Sequence, residues 1–381
     1  MSGMKVGLME SSAYCRYYPP AVIRTGYLMA MAAGADSFWM PDHLNSWWPR
    51  PIVTPKYVGA ARLVPNLDAV YEPWTVLGNL AARNRVARLS LGVGVTDAGR
   101  RNPAVTAQAA VTLHHLNRGG AILGIGTGER EGNEQYGVDW SRPVARFEEA
   151  LATIRALWDS NGELVSRDSP FFPLHNASFA LPPARGGWPE IWIASHGPRM
   201  LWATGRYGDA WFPAFTQTPQ EYAAKLDIIR SVASDAGRDP SAITPALWIP
   251  CVTGHSRGEV DEAMDSDILR WWAMTAPDTV WRRHGAEHPM GPGFTGAQDL
   301  VPQTVDEATA VSHARKVPRS LLGECLLHGT PREVVDQAAT WRDHGVRYLV
   351  LENLSFVRPS LRNGLAAAVP YVKLARGIKR L

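Results

Sequence analysis

Polar residues that could move a proton or hold an anion stand just after four apolar runs of the sequence. They are His43, Thr96, Glu129 and Ser195. A histidine titrates near neutral pH, so His43 suits proton donation, whereas Glu129 could donate at pH 7 only if burial raised its pKa. Asp42 adjoins His43, but side chains of adjacent residues diverge, so we do not expect Asp42 to orient it. Spacing alone leaves two interpretations open, a catalytic His43 or a turn residue beside an exposed histidine, and the pKa of histidine favours His43 over Glu129 as the acid.

Three motifs resemble other kinds of site, but each has a feature that argues against it. Residues 124–128 lack the spacing of a dinucleotide fingerprint, and the carboxylate of Glu129 would repel a pyrophosphate. Residues 284–288 have the order of a zinc motif, but an internal glycine and a following proline disfavour the helix it needs. Ser195 lacks the glycine two residues earlier that a hydrolase elbow requires. We therefore expect a tight turn, an irregular loop with solvated histidines and a non-nucleophilic serine.

Strand and helix patterns alternate along the whole chain. The predicted strands are residues 5–9, 36–40, 89–95, 121–126, 190–194, 209–212, 246–252 and 347–351, and a helix pattern follows each one. Residues 89–129 are the clearest unit, because two apolar runs flank an alanine-rich helix. Right-handed crossovers between parallel strands would place all the carboxyl ends of the strands at one mouth. The sequence therefore predicts an α/β fold, a (β/α)₈ TIM barrel, with the polar residues around that mouth.

Three long segments interrupt the alternation, at about residues 42–71, 160–188 and 256–330. A barrel with insertions can reach 381 residues as one domain, so we expect a single domain over residues 1–381. Many of the 15 tryptophans lie in irregular or inserted segments: Trp47, Trp48, Trp188, Trp271, Trp272 and Trp281. Tryptophan offers a large apolar area, so we expect the first and third insertions to wall an apolar channel; core packing is the alternative.

The composition excludes several classes of protein. Net charge is +3 and no run of five like charges occurs, so neither nucleic acid nor an anionic membrane is indicated as a partner. No apolar run reaches transmembrane length, and the N-terminal segment has no signal-peptide core. Cys15, Cys251 and Cys325 are odd in number and far apart, which favours a reducing compartment. We therefore expect a cytoplasmic protein.

Four motifs in combination resemble the luciferase-like TIM-barrel family, and within it the branch that uses the deazaflavin coenzyme F-420. They are DH at residues 42–43, NPAV at 102–105, GTGE at 126–129 and ASHGP at 194–198. Longer stretches such as GEREGNEQYGV and PVARFEEALATIRALW extend the likeness nearly end to end. The resemblance implies a luciferase-like barrel, and a homodimer, which is common in the family.

The resemblance also implies a role for each site residue. In the family, backbone N–H groups after the fifth strand bind the coenzyme's phosphate, and a bulge after the third strand supports the ring. The residues that would hold the coenzyme are Asp42, Val93, Gly94, Val95, Thr96, Thr127, Gly128, Ala194, Ser195, His196 and Gly197. His43 and Glu129 would be the acid–base candidates, and Trp47 would line the substrate side. We expect a cis peptide at residues 93–94, because the family's bulge often contains one.

The activity implied by the resemblance is hydride transfer from reduced F-420 to a ketone, while a protein acid protonates the new alkoxide. The implied substrate is an apolar, long-chain lipid ketone. No basic cluster that would hold a sugar phosphate is evident in the sequence, which disfavours a sugar-phosphate dehydrogenase. Two alternatives stay open: an FMN-dependent monooxygenase on the same fold, and a non-catalytic carrier of F-420 or lipid.

Overall fold

Eight parallel strands close into a barrel in the computed structural model, which describes residues 3–214 and 217–381. The barrel strands are β1 (Lys5–Met9), β2 (Ser37–Met40), β3 (Ser90–Asp97), β4 (Ala121–Gly126), β5 (Glu190–Ile193), β6 (Ala210–Trp211), β7 (Thr244–Thr253) and β8 (Tyr348–Asn353). Each strand pairs with the next along the chain, and β8 pairs with β1, which closes the sheet. The predicted TIM barrel is confirmed.

One helix packs outside the barrel after each strand. The helices are α1 (Ala21–Ala33), α2 (Pro73–Arg83), α3 (Pro103–Leu116), α4 (Pro143–Asp159), α5 (Pro198–Tyr207), α6 (Pro219–Asp235), α7 (Pro331–Asp343) and α8 (Ala368–Ile378), with a short helix at Leu361–Ala366. Six of the eight begin at a proline, whose fixed φ and missing N–H suit the first helical position. Side-chain caps also fix where helices begin. Before α3, for example, the side-chain oxygen of Asn102 accepts a hydrogen bond from the amide of Ala104 at 2.9 Å. These local signals explain why helix starts could be read from the sequence.

Alternation along the strands separates two apolar layers. In β2, Phe38 contacts Tyr27 of α1, with ring centroids 5.6 Å apart, whereas the adjacent Trp39 contacts Trp192 of β5 at 5.0 Å. Gly92 of β3 is required by this arrangement, because a Cβ there would lie 2.3 Å from the Trp39 ring. The barrel interior is thus filled by aromatic rings rather than left as a pore.

The insertions carry their own elements. An antiparallel hairpin, Val165–Arg167 with Leu174–Ala177, lies between α4 and β5. The segment between β7 and α7 contains five helices and a short strand that pairs with the end of β7: Arg257–Met264, Asp267–Arg270, Asp278–Arg283, Glu307–Arg315, Arg319–Cys325 and Leu327–Gly329. It contacts the loop after β2, since the indole N–H of Trp271 donates to the carbonyl of Trp47 at 2.8 Å. The first and third insertions therefore meet beside the mouth of the barrel.

Within residues 3–214 and 217–381, no helix is both long and apolar enough to span a bilayer. The three cysteines are buried and form no disulfide.

Candidate active site

A cavity of about 610 Å³ lies at the carboxyl ends of the barrel strands. The ends of β1, β3, β4 and β8 contribute to its lining, together with the loops after β2 and β5, helix α6 and the third insertion. Nine residues predicted from the sequence line it: His43, Trp47, Gly94, Val95, Thr127, Gly128, Glu129, Ala194 and His196. Five others are not part of the lining: Asp42, Val93, Thr96, Ser195 and Gly197. The fold therefore gathers segments far apart in the sequence into one site.

The acid–base candidate His43 is paired with a carboxylate that the sequence analysis missed. Its Nδ1 lies 3.0 Å from Oε1 of Glu131 and 4.0 Å from Oε2 of Glu129. Glu131 belongs to a 3₁₀ turn after β4 and is fully buried. Since Nδ1 is engaged by Glu131, Nε2 is the nitrogen that remains for a ligand in the cavity.

Burial and charge set the protonation of this cluster. Burial alone would lower the pKa of His43, but the charges of Glu129 and Glu131 and the hydrogen bond to Glu131 raise it to about 9, against an opposing effect of Arg100. The same site raises the pKa of Glu129 to about 7, chiefly through burial, although the charge of His43 acts the other way. At neutral pH His43 is therefore a cation, while Glu129 carries a proton for part of the time.

Asp42 holds the loop that carries His43. Its Oδ2 accepts a hydrogen bond from the hydroxyl of Thr96 at 2.6 Å, and its Oδ1 pairs with Arg100 at 3.0 Å. A second arginine is also close, since Nε of Arg101 lies 3.4 Å from Oδ2 of Asp42. As expected, Asp42 does not orient His43 through a hydrogen bond. Its contact with the coenzyme ring stays a prediction.

The end of β3 carries the predicted bulge, between Val93 and Thr96, where it was expected. Val93 still pairs in register with Leu123 of β4, and the register shifts only between Val93 and Thr96. The cis peptide joins Gly94 to Val95, so the prediction of a cis bond at residues 93–94 is wrong. The reason is that Val93 remains in the regular ladder, which leaves Gly94 and Val95 as the irregular pair that lines the cavity.

The turn after β4 needs glycine at its tip. Gly128 has φ of +79°, and a Cβ there would lie 1.8 Å from Oδ2 of Asp97. Asp97 in turn accepts from the amide of Gly99 at 2.6 Å and from the side chain of Asn133. This network positions Glu129 at the cavity wall, and the predicted tight turn is confirmed.

Contacts of Ser195 order the loop after β5. They engage its hydroxyl within the protein, so Ser195 is not placed to act as a nucleophile. Its buried hydroxyl lies 2.8 Å from the hydroxyl of Thr204, and its carbonyl accepts from the indole N–H of Trp211 at 3.0 Å. Gly197 is the N-cap of α5. The first amides of a helix have no intrahelical acceptor, and the helix dipole favours a nearby anion. The loop thus offers backbone donors beside the cavity.

The cavity lining also includes charged groups that the sequence analysis did not identify. Glu352 of β8 lines the cavity, and burial, followed by the charge of Glu10, raises its pKa to about 8. Lys225 of α6 and Arg283 of the third insertion also contribute to the lining. Arg283 pairs with Glu221 at 2.8 Å, and Lys225 donates to Gln217 at 3.1 Å. Position on β8 and α6 was the sequence signal that could have found Glu352 and Lys225; Arg283, in the third insertion, had no such signal.

Tryptophans form the apolar wall of the cavity. Trp47 and Trp48 come from the first insertion and Trp272 from the third, and the Trp272 ring lies 5.7 and 5.6 Å from the other two. Trp248 of β7 joins them. The predicted wall is confirmed for these segments. The other three tryptophans named in the sequence analysis, Trp188, Trp271 and Trp281, pack in or against the apolar core instead.

The zinc-like motif forms the expected irregular loop, but the expectation of solvated histidines is wrong for His288, which packs into the insertion and is buried. The preceding helix, Asp278–Arg283, ends before the motif begins, so the two histidines do not share a helix face and contact different partners. His284 contacts Glu324 at 2.7 Å, and His288 contacts the carbonyl of Met274 at 3.3 Å. Among the described parts of the chain, the side chains of this motif are not among those whose potential metal-ligand atoms lie close enough together to share one ion.

The sequence matches the family of luciferase-like monooxygenases over residues 23–348. The chain belongs to this family. Two relatives that align with this chain from end to end are named phthiodiolone/phenolphthiodiolone dimycocerosates ketoreductase. The protein of Mycobacterium sp. (strain JLS) is 60% identical over 381 residues, and that of Mycobacterium tuberculosis is 58% identical over 382 residues, with 100% of each chain covered.

Solved structures share the barrel. An F420-dependent secondary alcohol dehydrogenase in complex with an F420-acetone adduct superposes with a TM-score of 0.73 at 19% identity, covering 97% of this chain and 98% of the other. A long-chain alkane monooxygenase superposes with a TM-score of 0.64 at 15% identity, covering 98% and 91%. At these identities the likeness establishes the fold.

Proposed function

We propose that this protein is an F-420-dependent ketoreductase that reduces phthiodiolone dimycocerosate, a long-chain lipid ketone, to the corresponding phthiotriol. The observation that carries the proposal is the hydrogen-bonded pair of His43 and Glu131, an acid kept protonated on the wall of a cavity that tryptophans also line. The names of the full-length relatives support the substrate class.

The residues of the cavity fit a deazaflavin with a phosphate-bearing side chain. The loop after β5 places Ala194 and His196 in the lining, directly before the start of α5, where backbone N–H groups have no intrahelical acceptor. A Cβ at Gly197 would meet nothing within 4 Å, so the backbone there is accessible to a ligand. Gly94 and Val95 would support the ring from the end of β3. When bound, the reduced coenzyme supplies the hydride for ketone reduction.

His43 would protonate the alkoxide oxygen that ketone reduction creates. Glu131 accepts the hydrogen bond of Nδ1–H, which leaves the proton on Nε2 for transfer. Glu129, 4.0 Å from the same nitrogen, would stabilise the imidazolium and position the ring or the substrate. Trp47, whose ring centroid lies 4.9 Å from that of His43, would exclude water on the substrate side.

A binding titration tests the proposal first. We expect F-420 to bind with a dissociation constant in the micromolar range or tighter, about −8 kcal/mol or more favourable, with much weaker binding of FMN and NADPH. Stoichiometric, tight FMN would overturn the cofactor assignment and favour a monooxygenase, which the family name also describes. Turnover of a ketone with reduced F-420 then separates an enzyme from a carrier, because a carrier would bind F-420 without oxidising it.

A further inference from the structure

Exposed apolar side chains gather on the loops around the cavity mouth. Five belong to the loops after β1, β2 and β4: Tyr14, Tyr17, Tyr18, Leu44 and Tyr136. The most exposed of them, Tyr17, leaves 75% of its surface to solvent. Tyrosine and leucine side chains of this kind bury area when they meet an interface, and the tyrosine hydroxyl tolerates a wet one. We call these five residues the rim.

The rim adjoins the cavity wall directly. The amide of Tyr14 donates to the carbonyl of Ala69 at 2.8 Å, and the adjacent Ala13 forms a β-bridge with Val70. Ala13 and Val70 both line the cavity. A surface seated on the rim would therefore lie beside the opening of the cavity.

Arginines without acidic partners surround the rim. Arg16, Arg24 and Arg62 are exposed, and among residues 3–214 and 217–381 no carboxylate oxygen lies within 4.0 Å of their guanidinium nitrogens. Arg16 lies over the Tyr17 ring at 6.0 Å, and Arg24 donates to the hydroxyl of Tyr18 at 3.4 Å. The nearby acidic groups are already paired with other arginines: Asp68 with Arg50, Glu72 with Arg101 and Glu134 with Arg130.

We propose that the rim and its three arginines dock the protein on an anionic phospholipid surface, so that a membrane-dissolved ketone enters the cavity without crossing water. The proposal rests on the proposed function, because it explains how a lipid substrate reaches the site. Tyrosines and arginines suit the boundary between headgroups and acyl chains, and each basic residue near an anionic surface adds to the attraction.

Charge disfavours a second copy of this chain as the occupant. A two-fold symmetric interface would place the rim against itself. Two patches that each carry these three arginines would then be brought together, and like charges across an interface oppose association. An anionic surface instead neutralises them.

Vesicle sedimentation tests the proposal on the full chain loaded with F-420. We expect binding to vesicles that contain phosphatidylglycerol and much weaker binding to pure phosphatidylcholine vesicles. Arg16→Glu/Arg24→Glu should lower the partition coefficient for the anionic vesicles by at least about tenfold, and Tyr17→Ser/Tyr18→Ser should lower it by several-fold. Both variants should lose turnover of a vesicle-embedded long-chain ketone while keeping turnover of a short, water-soluble ketone within about twofold.

Matched controls lie at the other end of the barrel. Arg85 and Val86 are exposed between α2 and β3, and Val86 leaves 86% of its surface to solvent. Arg85→Glu and Val86→Ser should change neither vesicle binding nor either turnover.

Absence of binding to anionic vesicles by the native chain, or equal losses in the control variants, would overturn the proposal. A rim variant that converts a dimer into monomers, measured by light scattering, would assign the rim to a subunit interface instead. Failure with the soluble ketone and reduced F-420 would contradict the proposed function rather than the docking surface.

Discussion

Replacing Glu131 with glutamine tests how the acid is kept protonated. The substitution preserves the size of the side chain and one oxygen acceptor, but removes a buried negative charge 3.0 Å from Nδ1 of His43. Glu129 stays in place at 4.0 Å, so the imidazolium loses one of two nearby carboxylates. Because His43 must be protonated to act, activity should decline as pH rises through its pKa, and the variant should decline at lower pH.

The size of the change follows from the pKa of about 9 for His43. An opposite charge within hydrogen-bonding distance typically changes a pKa by roughly 1–3 pH units, and a change of about two units corresponds to roughly 2.7 kcal/mol. With the pKa of His43 near 7 in the variant, the protonated fraction at pH 8 would fall from about 90% to about 10%. We therefore expect a loss of about tenfold in kcat at pH 8 and little loss at pH 6.

The assay is kcat against pH from 6 to 10, with reduced F-420 and a short ketone, together with an NMR titration of the His43 ring. Glu134→Gln is the matched control, because Glu134 lies on the same loop but is half-exposed and pairs with Arg130 at 2.5 Å. If Glu131→Gln moved the alkaline limb no further than the control, or moved it to higher pH, the role given to Glu131 would be refuted.

The remaining predictions concern the acid, the apolar wall and the turn after β4. His43→Ala should lower kcat by roughly 10²–10⁴ while F-420 affinity stays within a few-fold, and Glu129→Gln should cost less; the opposite ranking would exchange their roles. Trp272→Ala should raise KM for long-chain ketones at least about fivefold, with little effect on short ones, as measured by steady-state kinetics. Gly128→Ala should destabilise the fold in urea by roughly 2 kcal/mol or more, because its Cβ would meet a carboxylate, whereas Gly137→Ala, at φ +76° in open space, should cost about 1 kcal/mol.

The sequence was sufficient for the barrel and for nine of the residues that line the cavity. Strand and helix periods differ, prolines mark the helix starts, and the carboxyl ends of parallel strands must share one mouth. His43, Glu129 and Ala194 could therefore be placed together without coordinates, although they are far apart in the chain. These inferences rest on rules that depend only on local pattern and chain direction.

What only the tertiary structure decided is which side chains meet. Glu131 lies 88 residues from His43, and it faces His43 because a 3₁₀ turn, not a periodic element, sets its direction. The same holds for the cis bond between Gly94 and Val95, whose position depends on where the ladder with β4 breaks. The arginines of the rim are dispersed in a chain of net charge +3, so composition indicated no anionic partner. Loops bring charges together through contacts distant in sequence, and neither periodicity nor composition encodes those contacts.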